Sequence, residues 1–167
     1  MTLAALAFAS ACSSSGPALD KATIGNLAFG APSGWEKRDV SNKQRAMLEW
    51  APGADDNERK ESITVIRADR PATAKATPAQ LQHMLVEAQR GMTNATFAAP
   101  VSFTTRHGFR GVRVEGEFTP PGQKVRYRRI HAAFAEGTAV VNVLYTARDP
   151  DRENFEAVLD SFFREGV

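Results

Sequence analysis

The chain has 167 residues, 21 basic and 19 acidic side chains, 43% hydrophobic content and a single cysteine. One domain is the default at this length. A lone Cys12 makes no internal bridge, and ten Phe with that apolar content exclude a disordered chain. A formal charge of +2 does not by itself imply nucleic acid, and past residue 12 no apolar run approaches the roughly 20 residues of a spanning helix.

Thr2 to Ala11 reads TLAALAFASA, without charge, and is followed by Cys12 and the small polar stretch Ser13-Ser14-Ser15-Gly16-Pro17. An apolar run ending in small residues marks a secretory signal peptide. Ala9-Ser10-Ala11-Cys12 resembles a bacterial lipobox, in which the cysteine becomes the lipidated N-terminus. More than one acyl chain is needed for a stable anchor. The expectation is a signal peptide over residues 1–11, lipidation at Cys12, a flexible tether over residues 12–23 and a folded domain over residues 24–167. The leader is short and has no Lys or Arg, which a start site placed too far downstream would explain. Ala9-Ser10-Ala11 also fits cleavage without lipidation, and a buried cysteine in a cytoplasmic helix is the plainest alternative. Ser13 stands where an Asp would retain a Gram-negative lipoprotein in the inner membrane. That resembles an outer-membrane destination facing the periplasm.

The elements follow in chain order. Leu27 to Ala31 is expected as a short strand stopped by Pro32-Ser33-Gly34, and Trp35 to Val40 as a second extended piece. Gln44 to Trp50 reads as a strand, Pro52 to Asn57 as a loop, and Ser62 to Ala68 as a β-branched strand. Thr77-Pro78-Ala79-Gln80 opens a helix, with an N-cap, a proline at the first position and a Gln three after the cap. Leu81, Met84, Leu85, Ala88 and Met92 then form its apolar stripe.

Pro100 to Thr105 is a strand leading to a turn at Gly108. Gly111 to Thr119 alternates, with Val112, Val114 and Phe118 on one face and Arg113, Glu115 and Glu117 on the other. After Pro120-Pro121-Gly122 the strand Lys124 to Ala135 changes apolar phase, which predicts a bulge near Arg128-Arg129. Glu136-Gly137 makes a hairpin, and Thr138 to Ala147 is apolar on both faces, as a central strand is. Asp149 is expected to cap a last helix with Pro150 at its first position and Phe155, Val158, Leu159 and Phe162 on its stripe. The fold class is therefore α+β, a central antiparallel sheet flanked by helices on both faces.

Phe29 with Pro32-Ser33-Gly34-Trp35, the step Tyr145-Thr146, and Phe155 with Ser161-Phe162 resemble the packing motifs of the PsbP-like superfamily. That superfamily includes the photosystem II extrinsic protein, the Ran-binding Mog proteins and many bacterial lipoproteins. The likeness runs from about Gly25 to Phe163. It implies an α/β/α sandwich and a binding or assembly role rather than catalysis. It transfers no functional residues.

The chain carries no Gly-x-Ser-x-Gly, Walker A or Gly-x-Gly-x-x-Gly motif. His83, His107 and His131 lack metal-ligand spacing. His131 faces Glu115 or Glu117 if the hairpin brings them opposite, an arrangement for acid-base work that is more often a salt bridge. Asp55-Asp56-Asn57-Glu58 lacks EF-hand spacing and reads as a solvated loop. Arg106, Arg110, Arg113, Lys124, Arg126, Arg128 and Arg129 flank one hairpin and are expected to form a basic band for an acidic protein or anionic lipid, or simply to solvate a sheet face.

The expected function is a lipid-anchored envelope protein, not an enzyme, without cofactor or metal and without nucleic acid. It meets the membrane through its lipid and binds a protein partner or supports an envelope assembly. The rival is a small-ligand carrier with an apolar pocket under the Leu81 to Met92 helix, lined by Met84 and Met92. A pocket above roughly 300 Å³ there is its sign.

Overall fold

A computed structural model describes residues 16–53, 61–69 and 75–165. The expected leader, Cys12 and the loop expected at Asp55 to Glu58 lie outside the described residues.

The described residues form eleven strands and two helices: β1 Leu19–Ile24, β2 Leu27–Pro32, β3 Trp35–Asp39, β4 Ala46–Pro52, β5 Glu61–Asp69, α1 Pro78–Arg90, β6 Thr96–Phe97, β7 Val101–Thr104, β8 Arg110–Phe118, β9 Tyr127–Glu136, β10 Ala139–Ala147, α2 Arg152–Asp160 and β11 Phe163–Arg164. Eight of the strands form an antiparallel sheet. Its order is β3-β4-β5-β10-β9-β8-β6, with β7 also on β8. The remaining three form a small sheet, β1-β2-β11. Residues 19–23, expected in the tether, belong to β1. Their charged, half-exposed sequence LDKATI reads as a linker because only one edge and one face are used.

The predicted bulge at Arg128-Arg129 is absent. Pairing of β9 with β8 runs without a break from Phe118↔Tyr127 to Gly111↔Phe134, and β10 follows β9 in the same way. The phase change has another cause. Both faces of β9 are covered, so side chains of either parity become buried.

Those two parities build two cores. Ile130, Ala132 and Phe134 of β9 join Val141, Val143 and Tyr145 of β10, Val65 of β5 and Trp50 of β4 under α2 and the β1–β2 hairpin. Ala133 and Ala135 of β9 join Val112, Val114 and Val140 under Leu81 and Leu85 of α1. The helices thus lie on opposite faces, as expected. The whole is more β-rich than a helix-flanked sandwich, because the small sheet shares the α2 face.

The aromatic motif residues meet in the larger core. Phe29 stacks on Phe162 at 4.6 Å and meets Trp50 edge-on at 5.4 Å, and Phe134 meets Phe162 at 5.3 Å. Trp35 lies 6.4 Å from Tyr145, which stacks on Phe155. Ser161 has its own task here. Its hydroxyl accepts from the Gly30 N–H at 2.7 Å and donates to the Val158 carbonyl, filling a backbone vacancy just beyond the short strand β11.

Both helix starts are capped. Thr77 and Gln80 form the predicted capping box. The second cap is Asp151 rather than Asp149, its carboxylate accepting from the N–H groups of Glu153 and Asn154. Buried Tyr145 sets that register: its hydroxyl accepts from the Asp151 N–H at 3.1 Å and donates to Glu61. Burial, with Glu61 beside it, pushes the Tyr145 phenol up.

Candidate functional site

The stripe of α1 is narrower than the sequence implies. Leu81 and Leu85 are buried, Met84 is half-buried and Ala88 is exposed, because the inward row continues to Gln89. The helix sits over β8 and β9, where Ala133 and Ala135 leave room for a close approach. It does not cover the whole sheet. On its face, Ile66 of β5, Leu144 of β10 and Met47 of β4 remain partly exposed.

Along this flank runs a groove of about 570 Å³. Ala79, Gln80, Leu81, His83 and Met84 form its helical wall, and Ala68, Val140 and Asn142 its floor. The lining is mostly apolar, with Gln80 and His83 exposed at the rim. His83 is therefore a rim residue. Met92 lies elsewhere, in a separate 170 Å³ hollow with Phe118 and Pro121.

His131 stands behind the groove floor. Its Nε2 lies 2.9 Å from Asn142 Oδ1, and only 8% of the residue is exposed. Asn142, which lines the groove, keeps its amide N–H groups as donors when its Oδ1 accepts from His131. The expected approach of His131 to Glu115 or Glu117 is not made. Unbroken register pairs His131 with Val114, so both glutamates point to the α2 face. There Glu115 takes Arg152, and Glu117 takes Arg126 at 2.9 Å and Arg128 at 3.1 Å.

Burial lowers the His131 pKa to about 4; the Asn142 hydrogen bond opposes that and the Arg129 charge adds to it. The unfolded imidazole titrates near its ordinary 6.5. Between those values the unfolded chain binds the extra proton, so stability is complete above about pH 6.5 and is lost as pH falls toward 4. Lowering the pH from 7 to 5 is expected to reduce the unfolding free energy by about 2 kcal/mol. His131→Gln is expected to flatten that slope, measured by urea unfolding at both pH values. An unchanged slope in the variant would contradict the assignment.

The predicted basic band is not one surface. Arg113 pairs with Glu156 of α2, and Arg128 also reaches Asp149. Arg129 lies on the opposite face, over the Phe118 ring at 4.6 Å, donating to Thr146 Oγ1 at 3.0 Å. Arg106 holds Asp160 through its backbone N–H, Lys124 is exposed in the β8–β9 connection, and Arg110 is exposed at the start of β8.

Sequence reading missed a buried carboxylate altogether. Glu136 accepts from Asn26 Nδ2 and Arg164 Nε, both at 3.2 Å, with Arg67 at 4.0 Å. These partners come from the β1–β2 turn, β11 and β5, so Glu136 clamps the small sheet onto the large one. Nothing in a local pattern marks it, since its partners are 110, 28 and 69 residues away.

No protein-family model and no curated protein matches the sequence. Solved structures do. LpqN of Mycobacterium tuberculosis, described as involved in cell envelope biogenesis, aligns at 14% identity over 81% of each chain with a TM-score of 0.61. The cyanobacterial PsbP of Synechocystis aligns at 16% identity over 94% of this chain and 98% of its own, with a TM-score of 0.56. The fold is PsbP-like. A protein of Bacteroides thetaiotaomicron aligns at 10% identity with a TM-score of 0.52, and the chain spans 47% of its length. At these identities the PsbP-like fold is what is shared. Among the described residues no helix is long and apolar enough to cross a membrane.

Proposed function

We propose that the protein is a non-catalytic binding protein of the bacterial cell envelope, and that its ligand is an apolar or amphiphilic small molecule held in the groove beside α1. The observation that carries this reading is the groove itself. Its 570 Å³ falls within the range of small-molecule sites, and it joins an apolar floor to a few polar groups at Gln80, His83 and Asn142. A protein partner for the basic band has less support, because Arg113, Arg126 and Arg128 are already paired with carboxylates.

The lipobox-like Ala9-Ser10-Ala11-Cys12 supports a lipid anchor at Cys12, with the outer membrane facing the periplasm as its place. The fold shared with an envelope protein agrees with that address. Lipidation would hold the groove close to membrane-derived ligands and raise their effective concentration.

The test fills the groove. Ala68→Phe puts a ring on its floor. The variant is expected to weaken binding of the neutral fluorophore Nile red by about ten-fold, while an exposed control, Lys124→Ala, leaves it unchanged. Equal binding by wild type and Ala68→Phe, with both folded by circular dichroism, would overturn the reading.

A further inference from the structure

A second concavity, of about 360 Å³, lies at the end of the sheet where the β7–β8 turn, the approach to α1 and β11 meet. Its lining is Lys75, His107, Gly108, Phe109, Arg110, Ala135 and Arg164. Three permanent cations and a histidine thus surround one hollow, and among the described residues no acidic one lines it.

This differs from the surface around the β8–β9 hairpin. Around the β8–β9 hairpin, Arg113, Arg126 and Arg128 each have a carboxylate within salt-bridge reach, as does Arg152 of α2. Among the described residues the side chains of Lys75 and Arg110 have no hydrogen-bond or ion-pair partner. Arg164 is fixed rather than free. Its Nε donates to Glu136 and its guanidinium lies over the Phe109 ring at 5.2 Å, which leaves its outer N–H groups for a ligand. His107 rests against the exposed ring of Phe163 at 6.0 Å. Two nearby carboxylates are engaged elsewhere: Glu136 accepts from Asn26 and Arg164, and Asp160 accepts from the Arg106 backbone N–H. Lys75 and Arg110 face Arg164 with only its Glu136 pairing to offset the cluster, and an anion that accepts from two guanidinium groups relieves their repulsion best.

We infer that this pocket binds the phosphate group of a phosphate-bearing ligand, with Arg110 and Lys75 as the principal donors and Arg164 as a third held in place by Glu136 and Phe109. The site shares no lining residue with the groove, and the two adjoin where Ala135 of β9 pairs with Val140 of β10.

The phosphate group comes from a soluble ester or from a lipid headgroup, and two arms separate these. The full chain carrying Cys12→Ser is titrated with glycerol 3-phosphate by calorimetry, and in parallel sedimented with vesicles of phosphatidylglycerol or phosphatidylcholine. Saturable binding in the first arm assigns a soluble ester; binding only to phosphatidylglycerol vesicles assigns a headgroup. In either case Arg110→Ala and Lys75→Ala are expected to weaken binding by about ten-fold each. Lys124→Ala removes the same charge away from the pocket and is expected to have no effect. Failure to bind in both arms would overturn the inference. So would a loss in Lys124→Ala equal to that in Arg110→Ala, since net charge alone would then account for the binding.

Discussion

Phe162→Ala is expected to lower the free energy of unfolding by about 3–5 kcal/mol, the largest effect of any single truncation in the molecule. The ring is fully buried between Phe29 of the small sheet and Phe134 of the central strand β9. Two costs add: the lost transfer of a large apolar group, and the cavity left among aromatic rings that cannot collapse into it. The position also matters topologically. Phe162 follows α2 directly, so it joins the helix, the β1–β2 hairpin and the large sheet at one point. Against a typical total of about 5–15 kcal/mol, the variant would sit near the limit of folding. Urea unfolding measures it, through the midpoint at constant slope. A loss below about 1 kcal/mol would mean that the small sheet is not cooperatively joined to the rest.

Glu136→Ala is expected to cost about 2–4 kcal/mol. Its carboxylate is almost wholly buried and gathers Asn26, Arg164 and Arg67. Among the described residues, removal leaves Arg67 only the exposed Asp69 as an ion-pair partner, while its Nε is already buried without a partner. Arg164→Ala is expected to cost less than half as much, because that side chain is close to half exposed and water replaces what it loses. The comparison is made on urea midpoints of the two variants. Equal losses would mean that Glu136 acts only as a surface pair.

Much of the fold was legible because its signals are local. The capping box at Thr77 and Gln80 needs only four residues, and the alternation of Val112, Val114 and Phe118 announces the parity of β8 directly. The motif aromatics Phe29, Trp35, Tyr145 and Phe162 also pointed correctly to packing. Where the reading failed, a distant partner decided. Asp151 rather than Asp149 caps α2 because a tyrosine six residues earlier holds its N–H. The supposed bulge was a strand buried on both faces, which period alone cannot distinguish from a slip. Strand β6 has two residues, too few for any pattern.

The candidate site was less legible for the same reason. The basic band dissolved because Arg113 finds Glu156 43 residues away and Glu115 finds Arg152 37 residues away. The groove depends on where α1 stops covering the sheet, and Ala133 and Ala135 of β9 set that position. The sequence did mark Met84 as a lining residue and erred on Met92, which the drift of the inward row toward Gln89 carries to another surface.

The groove is the centre of this account, and Met84 in its wall, with Met92 in a separate hollow, reports on it directly. In a methyl-carbon NMR spectrum of methionine-labelled protein, titration with a long-chain fatty acid is expected to shift the Met84 signal progressively and to leave Met92 in place. A moving Met92 beside a stationary Met84 would contradict the account, as would no movement of either.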